Sequence, residues 1–282
     1  MKRLRNAVLL FVSFALTAPA QVTRPQLGAI VDRNQNLRAV NGVPASTTLG
    51  DPLVGGILSA ACSADLCLAK AEGALWSQTS NSAGIDTKVT TAPPGPAIFA
   101  FSGAGAYVYF PANQSLFWWQ DAELQALPFS LKGDVLSFLA TGDGLDYAVR
   151  RDGAVWREHV SQNSTPQVIN WIDSTENVGP LALLPNGILI ADAQTVRYLR
   201  ADGAVTNLAI AGVQSFSPMG AGFVQTLTTD AIWAIRTDTG TPSAFLLPAA
   251  NETPATRTAP PRPVRRPALK SPSAPQPGTA IP

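Results

Sequence analysis

A chain of 282 residues with one histidine and two cysteines has too few soft ligands for a Cys/His zinc cage. Its formal net charge of +1 hides an uneven distribution. Positions 21–250 carry 12 Lys+Arg against 18 Asp+Glu, a balance of −6 that repels phosphate and argues against nucleic acid as a partner. That middle stretch of 230 residues is enough for one large all-β domain.

Residues 1–20 read as a signal peptide. Lys2, Arg3 and Arg5 form a basic start, Ala7 to Thr17 is an apolar run, and Ala18-Pro19-Ala20 supplies a small-x-small cleavage site. The apolar run is short for a bilayer span, which takes about 20 residues. Cleavage before Gln21 is expected, with no membrane span afterwards and a periplasmic or extracellular location. Removal of the three basic residues leaves the mature chain at −2.

From there a two-residue step, aliphatic then aromatic or Arg, recurs six times. It reads Leu37-Arg38, Leu75-Trp76, Leu116-Phe117, Val155-Trp156, Val196-Arg197 and Ile232-Trp233, at intervals of 38, 41, 39, 41 and 36 residues. Self-similarity near 40 residues in strand-rich units is the signature of a β-propeller. Six four-stranded blades are expected, or five if the first repeat completes the last.

The first repeat offers a hairpin, Leu27–Asp32 and Asn36–Val40, but no clear first strand; Gln21–Pro25 is a candidate for it. In the second, Cys62 and Cys67 occupy the slot where later repeats carry a glycine turn. An even cysteine count after export predicts a disulfide closing this hairpin. The third repeat reads as strands over Ile98–Phe101, Ala106–Phe110, Ser115–Trp119 and Leu124–Leu127. The fourth follows with Leu136–Ala140, Leu145–Arg150, Ala154–Val160 and Gln167–Trp171. The fifth gives Leu181–Leu184, Gly187–Ile190, Thr195–Arg200 and Ala204–Ile210. The sixth gives Ser215–Ser217, Gly222–Leu227, Ala231–Arg236 and Ser243–Leu247. Glycines at Ser102–Gly105, Thr141–Gly144, Leu184–Gly187 and Met219–Gly222 are expected to supply the positive φ of tight hairpins.

Successive strand residues point to opposite sheet faces. The recurring step therefore fills both gaps beside its blade, and Arg38 and Arg197 are expected to stack on a neighbouring aromatic ring. Residues 251–282 hold nine prolines, five basic residues and one acid, and read as a disordered basic tail.

Asp152-Gly153-Ala154-Val155-Trp156 and Glu72-Gly73-Ala74-Leu75-Trp76 resemble the Asp-Gly-x-hydrophobic-Trp hairpins of secreted bacterial β-propeller repeat proteins. The resemblance spans roughly Gln21 to Ala250 and concerns architecture, not one activity.

A search for chemistry finds no nucleophile elbow, phosphate loop or dinucleotide fingerprint. No catalytic residue, cofactor or metal is expected. His159, the lone histidine, reads as a surface or inter-blade residue, and Asp143, Asp146, Glu158, Asp173 and Glu176 as local hydrogen-bonding groups. The candidate binding rim is the face carrying the second-to-third strand turns and the links between blades. Its residues are Asp32, Arg33, Lys70, Lys132, Arg150, Arg151, Asp192 and Asp230, with Trp171 as the tryptophan placed outermost. In Trp118-Trp119 one ring must face away from the other. The expected role is a monomeric, non-catalytic binding module for a protein or glycan partner. The alternative is an extracellular carbohydrate-active hydrolase or lyase using carboxylates near the central channel.

Overall fold

The computed structural model describes residues 25–248 except 45, 82–83, 104, 162–163, 174–177 and 221; the side chains of 80, 81, 84, 85, 171 and 173 also lie outside the description. Residues 1–20, read as a signal peptide, residues 21–24 of the candidate first strand and the 251–282 tail therefore lie outside the described residues. All described residues fall in one unit, Met1–Ala250.

The chain is all-β, in a β-propeller arrangement of antiparallel strand groups. The first group is β1 (Gln26–Val31), β2 (Leu37–Val43) and β3 (Ser46–Val54). The second is β4 (Ser59–Cys62), β5 (Leu66–Lys70), β6 (Ala74–Asn81) and β7 (Gly84–Thr91). The third is β8 (Ile98–Ser102), β9 (Gly105–Phe110), β10 (Ser115–Gln120) and β11 (Glu123–Ala126). The fourth is β12 (Asp134–Ala140), β13 (Gly144–Arg151), β14 (Ala154–Ser161) and β15 (Gln167–Asp173). The fifth is β16 (Leu181–Leu184), β17 (Gly187–Ala191), β18 (Val196–Arg200) and β19 (Val205–Leu208). The last is β20 (Val213–Gly220), β21 (Phe223–Thr228), β22 (Ile232–Arg236) and β23 (Ser243–Leu246).

Separate four-stranded sheets throughout are not what forms. The first sheet has three strands, the third, fourth and fifth groups are four-stranded sheets, and the second and last groups merge into one sheet of eight. The reason is the absent inner strand ahead of β1 among the described residues. β4 and β20 meet where it would lie, joined by one parallel bridge, Met219 to Cys62.

Every recurring step sits in the third strand of a full group, or in β2 of the first. Its aliphatic member is buried each time: Leu37, Leu75, Leu116, Val155, Val196 and Ile232. Trp76, Trp156 and Trp233 are all half-buried at equivalent register. Apolar clusters fill the gaps between consecutive groups. Leu68 and Leu75 pack with Phe99, Val108 and Phe110 between the second and third, and Ile30 and Val40 pack with Met219 and Ala234 between first and last. The last of these brings the two ends of the chain's strand series together.

Both arginines of the recurring step have carboxylate neighbours. Arg38 is buried, and its Nε donates to Asp32 at 2.6 Å and its Nη1 to the Gly50 carbonyl at 2.9 Å. Arg197 lies 4.0 Å from the Asp192 carboxylate. One expectation about glycine is corrected: Gly144 and Gly187 do not supply positive φ. A Cβ on either would stand 2.2 or 2.3 Å from a carbonyl oxygen of the next strand, so close backbone approach is what excludes a side chain there.

Cys62 and Cys67 are a cross-strand pair of β4 and β5 and form a disulfide. At 4.0 Å their Cα atoms are as close as directly opposed residues come.

Candidate functional site

The inner strands wall a central channel of about 980 Å³. Ala60, Phe99, Val135, Leu181 and Phe216 are among its lining, so the wall is mostly apolar. At the end carrying the second-to-third strand turns, Asp32, Arg33 and Arg150 stand at the mouth. Three of the nine sequence-flagged rim residues thus converge there.

The others do not. Lys132 and Arg151 line a separate cleft of about 760 Å³ with Phe129, Tyr147 and Glu158. Lys70 is wholly buried, which corrects its reading as a surface cation. Its Nζ donates to the Ala71 and Glu72 carbonyls and lies 5.8 Å from the Phe110 ring centre. Burial lowers the Lys70 pKa, with Glu72 opposing the shift. Asp192 is exposed and closes its own turn, accepting from the Gln194 and Thr195 N–H groups, which hold its carboxyl below the usual range. Asp230 is exposed in the next turn of this kind, its N–H donating to Thr228. The Trp171 side chain lies outside the described residues; its backbone pairs with Trp156.

At the mouth the charges are held by the chain itself. Asp32, 4% exposed, accepts from the Asn34 and Asn36 N–H groups at 2.9 and 2.8 Å and from Arg38. Burial would raise its pKa, but the hydrogen bonds from Asn36, Arg38 and Asn34 together outweigh that and hold the carboxyl low. Arg33 donates to the Thr229 carbonyl at 2.8 Å, and Arg150 to the Val178 carbonyl and, at 3.3 Å, to Asp134. Three arginine and aspartate side chains are thereby fixed in place around the opening.

The carboxylates of the fourth group follow strand alternation. His159 Nδ1 lies 2.7 Å from Asp146, which also accepts from Arg157. The neighbouring Glu158 faces the other way, accepting from the Tyr147 hydroxyl and pairing with Arg151. Burial and then Glu158 push the Tyr147 phenol far up, so it stays protonated as the donor. The fourth group therefore splits its acids between two gaps.

Reading the turns only for glycine missed a second hollow, at the opposite end of the strands. It holds about 600 Å³ and is lined by Tyr107 and Trp118 of the third group and Thr141–Gly144 of the fourth. The legible signal was the tryptophan pair. Trp119 is buried against the second group, while Trp118 is half-buried and faces the fourth, as alternation requires.

No family model and no curated protein matches this chain. Among solved structures it is similar to a chain of a nidogen/laminin complex at 9% identity and a TM-score of 0.56, covering 78% of this chain and 92% of that one. It is also similar to PorZ, an essential bacterial surface component of the type-IX secretion system of Porphyromonas gingivalis, at 13% identity and a TM-score of 0.44. That match covers 80% of this chain but spans only 38% of PorZ. AztD from Citrobacter koseri matches at 9% identity and a TM-score of 0.44, over 80% of this chain and 72% of that one. These likenesses concern the fold. The disulfide fits an exported protein, and among the described residues no helix is long and apolar enough to cross a membrane.

Proposed function

We propose that the mature chain is an exported, non-catalytic propeller that binds a partner, a protein being the occupant its rim fits best. In this reading the eight-stranded sheet counts as two blades joined at their inner edges. The ring then has six blades, the first without an inner strand among the described residues. The carrying observation is the channel mouth, where Asp32, Arg33 and Arg150 are each tied down by their own chain. Groups so occupied form a rigid, preorganised contact surface, which favours binding by cutting the cost of ordering it. The nidogen/laminin neighbour belongs to a protein complex, which is in keeping with a partner-binding use of the fold.

The enzyme alternative needs acids converging on the channel. Among its described lining residues the carboxylate is Asp32, already engaged by Arg38. A retaining glycosidase pairs two carboxyls about 5–5.5 Å apart.

Affinity capture from the producing cell's exported fraction tests this reading. Wild type is expected to retain a specific protein that Arg33→Glu loses. Turnover of a polysaccharide panel that disappears in Asp32→Asn would overturn it in favour of the enzyme. The export half is checked separately: N-terminal sequencing of the secreted or periplasmic protein should begin at Gln21, and truncation after Asn251 should leave the melting temperature nearly unchanged.

A further inference from the structure

The hollow at the other end of the strands has the makings of a second, unrelated site. Its floor is aromatic. The Trp118 indole lies over Gly105, where a Cβ would stand 2.2 Å from the ring, so only glycine lets it settle there. Tyr107 meets the indole edge-on, ring centres 5.0 Å apart. The Trp118 Nε1–H is occupied by Gln120 at 3.2 Å, which fixes the ring's orientation.

Its opposite wall is polar and comes from the next strand group. Thr141 donates to Asp143 at 3.0 Å, Ser161 stands at the edge, and the Asp143 side chain is 79% exposed. Among the described residues no Lys or Arg lines the hollow. His159 Nε2 lies 3.7 Å from the Asp143 carboxylate.

Architecture does not demand this tryptophan. The same position, one residue after the recurring step, is Ala39, Ser77, Arg157, Tyr198 and Ala234 in the other repeats. A large aromatic surface left half-exposed at one register of six, facing hydroxyls and an exposed carboxylate, calls for a use.

We infer that this hollow is a single binding site for an uncharged pyranose, with Trp118 packing against the sugar's C–H face and Asp143 accepting from its hydroxyls. An apolar ring paired with a few placed polar groups is how small-molecule sites combine affinity with orientation. The lone carboxylate, without a cation beside it in the lining, selects against acidic sugars such as sialic or uronic acids. Burial raises the Tyr107 pKa, keeping that phenol a neutral donor at the base of the hollow. The inference rests on residues remote from the channel mouth and stands or falls apart from the partner proposed there.

Calorimetric titration of the full mature chain with methyl glycosides of glucose, galactose, mannose and N-acetylglucosamine tests it. Glucuronate and sialic acid serve as charged comparisons. At least one neutral glycoside should bind saturably, with a dissociation constant on the order of 1 mM for so small a ligand. Trp118→Ala should weaken that binding at least about tenfold, the loss of one stacked ring. Asp143→Ala, in an exposed turn where folding is not at stake, should weaken it about tenfold as well. The acidic sugars should not compete. Absence of saturable binding by every neutral glycoside would overturn the inference, as would binding that Asp143→Ala leaves unchanged.

Discussion

The gap between the fourth and fifth strand groups and the gap between the last and first are closed by different means. The former is the regular case. Ala148, Val155, Leu181, Leu183 and Ile190 pack there as an apolar cluster, and the Leu183 N–H donates to the Ser137 hydroxyl at 3.0 Å. Among the described residues the latter lacks an inner strand on one side, and side-chain-to-backbone bonds stand in its place. The buried Gln225 side chain receives the Val31 N–H at 3.2 Å and donates to the Val31 carbonyl at 2.8 Å, as a neighbouring strand would. Backbone also meets backbone directly, with Gly28 against Met219 and Gly220 against Leu27. The contrast teaches that where every strand is present an apolar cluster needs only an isolated polar bond across the gap. Where one is missing, the orphaned edge must find polar partners, because a buried unpaired backbone group is costly.

The sharpest way to break the seam is Gly28→Val. A Cβ there would fall 1.3 Å from the Met219 carbonyl oxygen, at a φ of +138°. A loss above about 4 kcal/mol, or failure to fold, is expected in urea unfolding, beyond what ordinary substitutions cost. Gly73→Ala, with nothing within 4 Å, is the control and should change little. Next comes Asp32→Asn, which takes away the carboxylate that buried Arg38 pairs with and should cost about 3 kcal/mol at neutral pH. The Asp32 pKa is depressed in the folded state. Its contribution is therefore complete above the unfolded carboxylate value, about 3.9, and disappears as pH falls through the lower folded value. The stability gap between wild type and variant should hold down to about pH 4 and narrow below it.

Gln225→Leu should cost about 2–4 kcal/mol, stranding one buried donor and one acceptor of Val31. Gln225→Glu sets a buried carboxylate against the Val31 carbonyl and should cost at least as much at neutral pH. Ser137→Ala, the matching change at the regular gap, should cost about 1 kcal/mol. If it costs as much as Gln225→Leu, the distinction between the two gaps is wrong. Thermal unfolding read at constant pH ranks these three.

How much of this was legible follows from what repeats. The six two-residue steps marked the third strands because burial on both faces of a blade imposes the same pattern each time, and Leu75, Val155 and Val196 are fully buried accordingly. The fifth group's four strands were read within two residues of their ends for the same reason. Cys62 and Cys67 were legible because an even count and a short spacing are read locally. Lys70 was not. A lysine before Ala-Glu-Gly looks like a turn cation, and nothing nearby in sequence says that Phe110 of the next group will cover it. Asp32 was placed in its turn correctly, yet its burial depends on Arg38 and on the fold around both. Gln225 gave no sign at all, since its partner lies far away in the chain. The hollow under Trp118 was half-visible: alternation separated the two tryptophans, but the polar wall comes from another repeat.

That remoteness bears on how the molecule assembles. Val31 and Gln225 stand 194 residues apart, and Met219 must reach back to Cys62. Contacts of such long range carry the largest loop-closure penalty and slow folding. Each hairpin can form as it is made, but the circle is completed only once the final strands exist. Until then β4 and β20 present open edges, the kind of surface through which unfinished chains join one another. Gly28, Gly220 and Gln225 thus guard the last moments of maturation as much as the finished object.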